Sequence, residues 1–483
     1  MKPEMMIQPM DQFNQVLFQN THPARHQNPT PKPVYDLVVI GAGSSGLVTS
    51  VGAAQMGARV ALIERMFMGG CCLNFGCVPS KALIRSARVA YELGRAKHYG
   101  ICTGESLAVD FASVMRRVRQ IRAKISYNDS VETISNKGVD VFLGEAHFID
   151  KDHIEVANAV LPFKLAAITA GGRPMSPRID GIDSSEIITS KTLFTLTELP
   201  SAMAVIGGGP IGCEMAQAFA RFGTKVTIFH AHDHLLDKED ADAAELIQNR
   251  FKAEGIQVLL NSRVRRGKVH GKQKTLYYIQ NGEERHITVD AVLAGAGRKP
   301  SVEDLRLENV GVEYDPKRGI HIDDHLRTTN KRIFSAGEIC MKWKFTHAAE
   351  ASAQLLLQNA LLGHKKRLSD LIMPWCTYTD PEIAHVGMYE KEAVAKGYQV
   401  ETVTQPMSAI DRAITDSETE GFVRVHLQKG KNRILGASII AKHAGEMINE
   451  ITAVMNAGGA LNLLSKTIYP YPTQSEAIKR VSE

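Results

Sequence analysis

The stretch that decides the fold reads Gly69-Gly70-Cys71-Cys72-Leu73-Asn74-Phe75-Gly76-Cys77-Val78-Pro79-Ser80-Lys81. It places three thiols within seven residues. On a regular helix, the Cα atoms of Cys72 and Cys77 would lie roughly 8.6 Å apart, whereas a disulfide requires about 4.4–6.8 Å. A bond between them therefore needs a departure from regular helix, which Asn74 and Gly76 allow because both tolerate turn conformations.

The third thiol, Cys71, leaves a second pairing with Cys77 open. A bridge between the neighbours Cys71 and Cys72 would strain the peptide, so we do not expect it. A structural disulfide is not expected either, because the chain shows no secretion signal. A zinc site needs about four ligands, and only three thiols cluster here. The cysteines therefore indicate a redox centre rather than a metal site.

A dinucleotide-binding pattern precedes the cysteines. A predicted strand over residues 36–40 leads into a glycine turn, a helix through Met56, and a second strand ending in an acid. This is the full context of a dinucleotide-binding unit, in which a helix N-terminus and close backbone approach hold a pyrophosphate. The predicted cofactor-binding residues are Gly41, Gly43, Ser45, Gly46 and Glu64.

The unit recurs 166 positions later, with glycines and a strand in the same register. At the position equivalent to Glu64 the second copy has His230, which removes a carboxylate that would repel a 2′-phosphate. We therefore expect two bound dinucleotides, the second with a preference for NADPH over NADH. The predicted binding residues of this copy are Gly207, Gly209, Gly212 and His230.

Length and composition agree with a multidomain enzyme. At about 150 residues per domain, 483 residues suggest three domains. A net charge of +5 is too small to favour nucleic acid, and no apolar run is long enough to span a membrane. Residues 1–33 are polar and read as a flexible tail without the features of a signal peptide, so we expect a cytoplasmic protein. The basic residues near Arg119 are expected on a solvated helix face.

The cysteine string resembles the redox centre of the class I pyridine nucleotide–disulfide oxidoreductases, and the resemblance extends over residues 34–483. It implies that Cys72 and Cys77 form a disulfide beside FAD and that Lys81 lies near the reactive flavin nitrogen. It also implies that Glu214 pairs with Lys81 between the flavin and NAD(P)H. The resemblance adds further cofactor-binding residues: Gly70, Gly171, Gly297, Glu338 and His347.

The implied fold is α/β, with two Rossmann-like dinucleotide-binding domains, for FAD and NAD(P), and a C-terminal α+β dimerisation domain that forms a homodimer. The predicted division is a flexible tail over 1–33, the first part of the FAD-binding domain over 34–172, the NAD(P)-binding domain over 173–298, the return part of the FAD-binding domain over 299–365, and the dimerisation domain over 366–483.

The C-terminal string departs from the pattern of the dithiol-handling members of the family. They carry a catalytic histidine where this chain has Tyr471, whereas the glutamate that orients it remains as Glu476. Histidine titrates near pH 6.5 and tyrosine near 10, so a phenol is a poor base at neutral pH. Mercuric reductase also has tyrosine there. The leading hypothesis is therefore a mercuric-reductase-like flavoenzyme with a small-molecule or metal-ion acceptor. The alternatives are a dihydrolipoyl dehydrogenase-type enzyme and a non-catalytic flavin-based redox sensor.

Overall fold

A computed structural model describes residues 6–102, 108–280 and 282–483. The chain divides into two compact units. The first contains Met1–Ser176, Ile188–Leu199 and Gly297–Leu371, and the second contains Pro177–Ile187, Pro200–Ala296 and Ile372–Glu483.

The α-helices of the described residues are α1 (Gln12–Thr21), α2 (Ser44–Gln55), α3 (Gly70–Phe75), α4 (Cys77–Gly94), α5 (Phe111–Ser126), α6 (Val131–Asn136), α7 (Ser190–Leu193), α8 (Pro210–Arg221), α9 (Ala241–Ala253), α10 (Thr346–Leu361), α11 (Glu390–Ala395), α12 (Asp411–Thr415), α13 (Ala444–Asn456), α14 (Asn462–Ser465) and α15 (Glu476–Val481).

The described strands of the first unit up to residue 174 are β1 (Tyr35–Ile40), β2 (Val60–Glu64), β3 (Val139–Leu143), β4 (Ala146–Asp150), β5 (His153–Val156), β6 (Ala159–Ile168) and β7 (Gly172–Pro174). The strands that follow, in the second unit, are β8 (Ala202–Ile206), β9 (Lys225–Phe229), β10 (Gln257–Leu259), β11 (Val264–His270), β12 (Gln273–Gln280), β13 (Glu283–Val289) and β14 (Ala291–Ala294). The remaining strands are β15 (Arg298–Pro300), β16 (Tyr314–Asp315), β17 (Gly319–Ile320), β18 (Ile333–Ser335), β19 (Pro374–Thr377), β20 (Glu382–Gly387), β21 (Val400–Pro406), β22 (Phe422–Gln428) and β23 (Ile434–Ala441).

The first unit is built on a seven-stranded sheet in the order β3-β2-β1-β6-β5-β4, with β18 also paired to β6. The pairs among β3, β2, β1, β6 and β18 are parallel, whereas β4, β5 and β6 pair antiparallel. Every residue of β2 is buried, as expected of a parallel strand covered on both faces. The carboxyl ends of β1 and β2 therefore lie at one edge of the sheet, where the first glycine turn begins.

The prediction of a flexible tail over residues 1–33 is wrong for the part that the structure describes. Leu17 of α1 is completely buried and packs in a cluster with Phe67 and Phe75. Asn28 farther along exchanges two hydrogen bonds with the backbone of Leu143 on the edge strand β3, at 2.8 and 3.1 Å. Although the segment is polar overall, its helix α1 has one apolar face, and this face packs against the rest of the first unit.

The helix predicted for the basic residues near Arg119 is confirmed as α5, but the prediction that its basic face is solvated is wrong at Arg119. This side chain is buried, and its Nε lies 2.6 Å from the Asp11 carboxylate of the N-terminal segment. Buried arginines are usually paired, and here the partner comes from the segment that was expected to be a tail.

The second unit contains the repeated dinucleotide pattern. Its four-stranded parallel sheet has the order β10-β9-β8-β14 and is accompanied by a three-stranded antiparallel sheet, β11-β12-β13. The C-terminal residues form a five-stranded antiparallel sheet, β19-β20-β23-β22-β21, whose core includes residues of α13 and α15. The predicted α/β class, with two dinucleotide-binding folds and a C-terminal α+β region, is confirmed.

The two units do not coincide with the predicted domains, and the predicted division stays a prediction. Residues 188–199, expected within the NAD(P)-binding domain, belong to the first unit. They carry the short helix α7 and lie close enough to the cysteine stretch for Lys191 to interact electrostatically with Cys71. No helix within the described ranges combines the length and apolarity that crossing a bilayer would need.

Candidate functional site

The cysteine stretch forms two helices with a break between them. Helix α3 ends at Phe75, the chain turns at Gly76 with φ −126° and ψ −112°, and α4 begins at Cys77. A Cβ atom on Gly76 would lie 3.0 Å from the carbonyl oxygen of Cys71, so the turn favours the absence of a side chain. The predicted departure from regular helix between Cys72 and Cys77 is confirmed.

The break brings Cys72 and Cys77 into direct contact. Their side chains are hydrogen-bonded, and both thiols also contact the hydroxyl of Thr346, with 3.4 Å between Cys77 Sγ and Thr346 Oγ1. The hydrogen bond to Cys77 and burial together raise the pKa of Cys72 above the ordinary value for a thiol. None of the seven cysteines forms a disulfide in this structure, and the side-chain contact places Cys72 and Cys77 for bridging.

Cys71 lies apart from that pair, against a buried ion pair. Arg298 donates hydrogen bonds to the Glu338 carboxylate and to Gly172 O, the latter at 2.7 Å, and its guanidinium also contacts the Cys71 thiol. Burial raises the pKa of Cys71 more than this cation lowers it. Cys72 is hydrogen-bonded to Cys77, whereas Cys71 is hydrogen-bonded to Arg298, so the geometry favours Cys72 over Cys71 as the partner of Cys77.

The first glycine turn forms the cradle expected for FAD. A Cβ on Gly46 would lie 1.8 Å from Gly41 O, and one on Gly70 would lie 2.6 Å from the Cα of Gly43. The backbone therefore packs too closely there for any side chain. At the N-terminus of α2, the buried Ser45 hydroxyl has no hydrogen-bond partner among the described residues. A pyrophosphate oxygen is a fitting acceptor for that orphaned donor at a helix N-terminus.

Glu64, at the end of β2, is hydrogen-bonded to the backbone of the first glycine turn. Its two carboxylate oxygens accept hydrogen bonds from the backbone amides of Ala42, at 2.8 Å, and Met66, at 2.7 Å. Burial raises its pKa, and backbone hydrogen bonds from Ala42, Met66 and Phe67 partly offset this. Two carboxylate oxygens offer about four lone pairs, so one stays able to accept a ribose hydroxyl.

The second glycine turn repeats this geometry with a different side chain. A Cβ on Gly212 would lie 2.0 Å from Gly207 O, and Gly209 caps α8. His230 is buried, and its Nδ1 accepts a hydrogen bond of 3.0 Å from the amide of Gly208. Burial lowers the pKa of His230, and a backbone hydrogen bond with His234 partly offsets this, so the ring is neutral with its proton on Nε2.

Lys81 and Glu214 lie in different units. Lys81 sits four residues after Cys77 on α4, on the same helix face. Glu214 is buried on α8, where its carboxylate accepts a 2.9 Å hydrogen bond from the Tyr378 amide. Their ion pair stays a prediction.

The remaining predicted cofactor residues lie where the chain enters and leaves the dinucleotide unit or where a helix begins. Strands β7 and β15 pair antiparallel, each preceded by a glycine with positive φ, Gly171 at +61° and Gly297 at +93°. His347 lies in the first turn of α10, stacked on Phe345 at 5.4 Å between ring centroids. His347 therefore lies at a helix N-terminus.

At the C-terminus, Tyr471 and Glu476 are each held by a residue that the sequence did not indicate. The Tyr471 hydroxyl donates to Asp411 Oδ2 at 2.9 Å, and this carboxylate raises the pKa of the phenol. Glu476 Oε1 instead accepts from Arg480, at 2.7 and 3.0 Å. Glu476 is therefore an ion-pair partner, and Asp411 takes the place next to the tyrosine.

Sequence reasoning missed three residues that contact the predicted site. Thr346 could have been noticed from its position beside His347 at a helix start, whereas Arg298 and Asp411 carry no local pattern. Within residues 6–102, 108–280 and 282–483, no group of three or more His, Cys, Asp or Glu side chains could hold a metal ion.

The close approach at Gly46 makes a direct prediction. We expect Gly46→Ala to purify with at least about tenfold less flavin per chain, because overpacking a tight contact typically costs about 1–3 kcal/mol and here displaces the turn. Gly94→Ala is the matched control, since a Cβ there meets nothing within 4 Å. The measurement is flavin absorbance per protein, with circular dichroism to verify folding. Equal flavin content in the two folded variants would contradict the cradle.

Comparison with known proteins agrees with this geometry. Residues 35–353 match the family described as pyridine nucleotide-disulphide oxidoreductase, and residues 373–482 match its dimerisation domain. The chain is 32% identical to a mercuric reductase of Lysinibacillus sphaericus over 445 residues, which are 92% of this chain and 81% of that protein. It is also 32% identical to a dihydrolipoyl dehydrogenase of Geobacillus stearothermophilus over 453 residues, which are 93% of this chain and 95% of that protein.

A solved structure gives the same result. The HOCl-induced flavoprotein disulfide reductase RclA from Escherichia coli superposes with a TM-score of 0.82 at 30% identity, covering 93% of this chain and 99% of that chain. Its Cu(II) complex matches with a TM-score of 0.81. The dimerisation domain supports a homodimer. The chain belongs to the pyridine nucleotide-disulphide oxidoreductases, a family of FAD-dependent enzymes that take electrons from NAD(P)H.

Proposed function

We propose that this protein passes electrons from NAD(P)H through FAD to the Cys72–Cys77 pair, and from there to a metal ion or other non-standard acceptor, in the manner of mercuric reductase. FAD supplies the two-electron chemistry between nucleotide and sulfur. The chain contributes the cradle around Gly46, the two thiols in contact, and the hydroxyl of Thr346 beside both sulfurs. A cytoplasmic location stays a prediction.

The observation that carries the choice of acceptor is the hydrogen bond between Tyr471 and Asp411. A phenol whose pKa is raised by a neighbouring carboxylate is ionised to a smaller extent at neutral pH than an isolated tyrosine, so less phenolate is available to act as a base. Its one hydroxyl hydrogen is donated to Asp411, and the side chain does not readily cycle a proton at pH 7. If the C-terminal region completes the partner's active site, this side chain, 73% exposed, would suit a soft metal ion better than a dithiol.

A dihydrolipoyl dehydrogenase-type activity is the second candidate. The relative from Geobacillus stearothermophilus, which covers most of both chains, favours it, and Tyr471 counts against it. Steady-state turnover with mercuric ion, cupric ion, lipoamide and glutathione disulfide separates the two candidates. The non-catalytic sensor would show no turnover with any of them.

Replacing the tyrosine tests the acceptor assignment. We expect Tyr471→His to raise lipoamide or glutathione-disulfide turnover by at least about tenfold, since general acid–base catalysis contributes typically about 10²–10⁴-fold. The gain should grow as pH rises through the ordinary histidine pKa of about 6.5, because the neutral imidazole is the base.

Tyr471→Phe is the matched control, because it keeps the ring and removes the hydroxyl. We expect no gain in dithiol turnover from this change. A wild-type protein that already turns over lipoamide at rates ordinary for flavin reductases would contradict the assignment and make the dithiol enzyme the leading hypothesis.

The nicotinamide nucleotide is expected to be NADPH. A glutamate at the end of the second strand accepts hydrogen bonds from ribose hydroxyls, as Glu64 is placed to do in the first unit. His230 offers a ligand a hydrogen-bond donor instead of an acceptor. Its Nδ1 already accepts from the Gly208 amide, and its buried Nε2–H can only donate. A 2′-phosphate oxygen is an acceptor for that donor, and there is no carboxylate at this position to repel it.

Substitution of His230 tests this preference. We expect His230→Glu to shift the NADPH/NADH ratio of kcat/KM toward NADH by about tenfold or more, since the change exchanges a donor for an anion beside the 2′ position. Binding of 2′,5′-ADP and 5′-AMP, measured by calorimetry, should shift in the same direction. His230→Gln keeps a donor and an acceptor and should retain most of the wild-type preference. An unchanged ratio in His230→Glu would rule out this role.

A further inference from the structure

Arg122 on α5 is a buried cation that ties two other helices together. One terminal nitrogen donates to the carbonyl oxygen of Asn74 at 2.9 Å, and the other donates to Oδ1 of Asn14 at 2.9 Å. The side chain is 2% exposed, and its Nε has no partner among the described residues. Burial lowers the pKa of Arg122 to about 10, which leaves it charged at neutral pH.

The acceptor Asn74 lies in the last turn of α3, the helix that carries Cys72. Carbonyl groups there have no partner within the helix, and a cation at a helix C-terminus is favourable. The side chain of Asn74 also donates to the carbonyls of Met68, at 3.0 Å, and Gly70, at 2.8 Å. Arg122 therefore holds the end of α3 immediately before the break at Gly76.

The other acceptor, Asn14, is presented by the N-terminal helix α1. It is completely buried, and its Nδ2 donates to the carbonyl of Pro9 at 2.7 Å, which directs Oδ1 towards the guanidinium. Thr21, at the end of the same helix, accepts a 3.0 Å hydrogen bond from the amide of Met68. The cluster around Leu17 includes Phe75 and reaches Cys71, so side chains of α1 and of the redox helix share one small apolar cluster.

We propose that α1 positions the redox pair through Asn14, Arg122 and Asn74. Asn14 holds the guanidinium, the guanidinium holds the end of α3, and the end of α3 sets the distance between the sulfurs of Cys72 and Cys77. The inference rests on the proposed function, because it treats the two cysteines as a redox couple. Asn14 and Arg122 are positioning residues and touch neither sulfur.

The consequence is a more stable disulfide. Oxidation joins the two sulfurs and releases two electrons and two protons, and when oxidised dithiothreitol is the acceptor its own S–S bond breaks and it leaves as the dithiol. The equilibrium favours the protein disulfide to the extent that the two thiols are already held together. A looser end of α3 lowers their effective concentration and makes the protein disulfide easier to reduce.

The experiment equilibrates full-length holoenzyme with mixtures of reduced and oxidised dithiothreitol and counts the free thiols of Cys72 and Cys77 by alkylation and peptide mass spectrometry. We expect Asn14→Leu to lower the equilibrium constant for disulfide formation by about tenfold, because a hydrogen bond to a charged group is among the stronger ones. Asn14→Asp keeps an acceptor for Arg122 and should stay within about twofold of wild type. If Asn14→Leu fails to fold, Arg122→Lys serves instead. Lysine keeps the positive charge but lacks the planar guanidinium that donates to Asn74 and Asn14 at the same time.

Asn20→Ala is the matched control on the same helix, because it removes the 2.9 Å hydrogen bond from Asn20 to Ser126 and leaves the chain of contacts to α3 intact. An unchanged constant in Asn14→Leu, or an equal fall in Asn20→Ala or in Asn14→Asp, would overturn the inference alone. A wild-type protein that never forms the Cys72–Cys77 disulfide would overturn the proposed function, and the inference with it.

Discussion

The chemistry of this chain depends on the break between α3 and α4 at Gly76. A continuous helix would hold the Cα atoms of Cys72 and Cys77 roughly 8.6 Å apart, beyond the reach of a disulfide. The break turns this spacing into direct contact between the two thiols. It also creates a new helix N-terminus at Cys77, an environment that favours thiolate. The surrounding structure therefore has to hold the end of the short helix α3 and the start of the longer helix α4 in one place.

The two glycine turns use different side chains, Glu64 and His230, to accept a hydrogen bond from the equivalent backbone amide. In both units, the amide after the first glycine needs an acceptor from the end of the next strand. Glu64 supplies a carboxylate oxygen and His230 supplies Nδ1. The equivalent backbone amide is bonded in both turns, but the atoms left to contact a ligand differ. The Glu64 carboxylate can still accept a hydrogen bond, whereas the neutral His230 ring can only donate one from Nε2. Nucleotide preference can change at such a position without loss of the fold.

Much of the fold followed from local patterns. The glycine turns, the strands around them and the break among the cysteines are determined by residues close together in sequence, and each was predicted correctly. The packing of residues 6–33 could not be predicted, because it depends on partners far away along the chain. Leu17 packs with Phe75, and Asn14 accepts a hydrogen bond from Arg122. For the same reason Arg119 looked like a surface residue, although Asp11 pairs with it in the interior.

The candidate site divides in the same way. Cys72, Cys77 and the glycines are identified by spacing, whereas the partners that set their chemistry come from distant segments: Thr346 beside the thiols, Arg298 beside Cys71 and Asp411 beside Tyr471. Sequence alone indicated Glu476 as the partner of Tyr471, but the short helix α15 offers Arg480 one turn away from Glu476. A pair of charges four residues apart on a helix is satisfied locally, which leaves the tyrosine to another carboxylate.

The central claim is that Cys72 and Cys77 form a redox couple in electronic contact with FAD. An anaerobic reductive titration of the purified flavoprotein tests it most directly. We predict that the wild-type protein takes up two electrons more than its flavin alone requires, as expected of one disulfide, and develops a long-wavelength absorbance band from a thiolate beside the flavin. The extra electron uptake should disappear in Cys72→Ser and in Cys77→Ser, the band should disappear in Cys77→Ser, and both features should persist in Cys71→Ser. Electron uptake that is the same in all four proteins would contradict the claim.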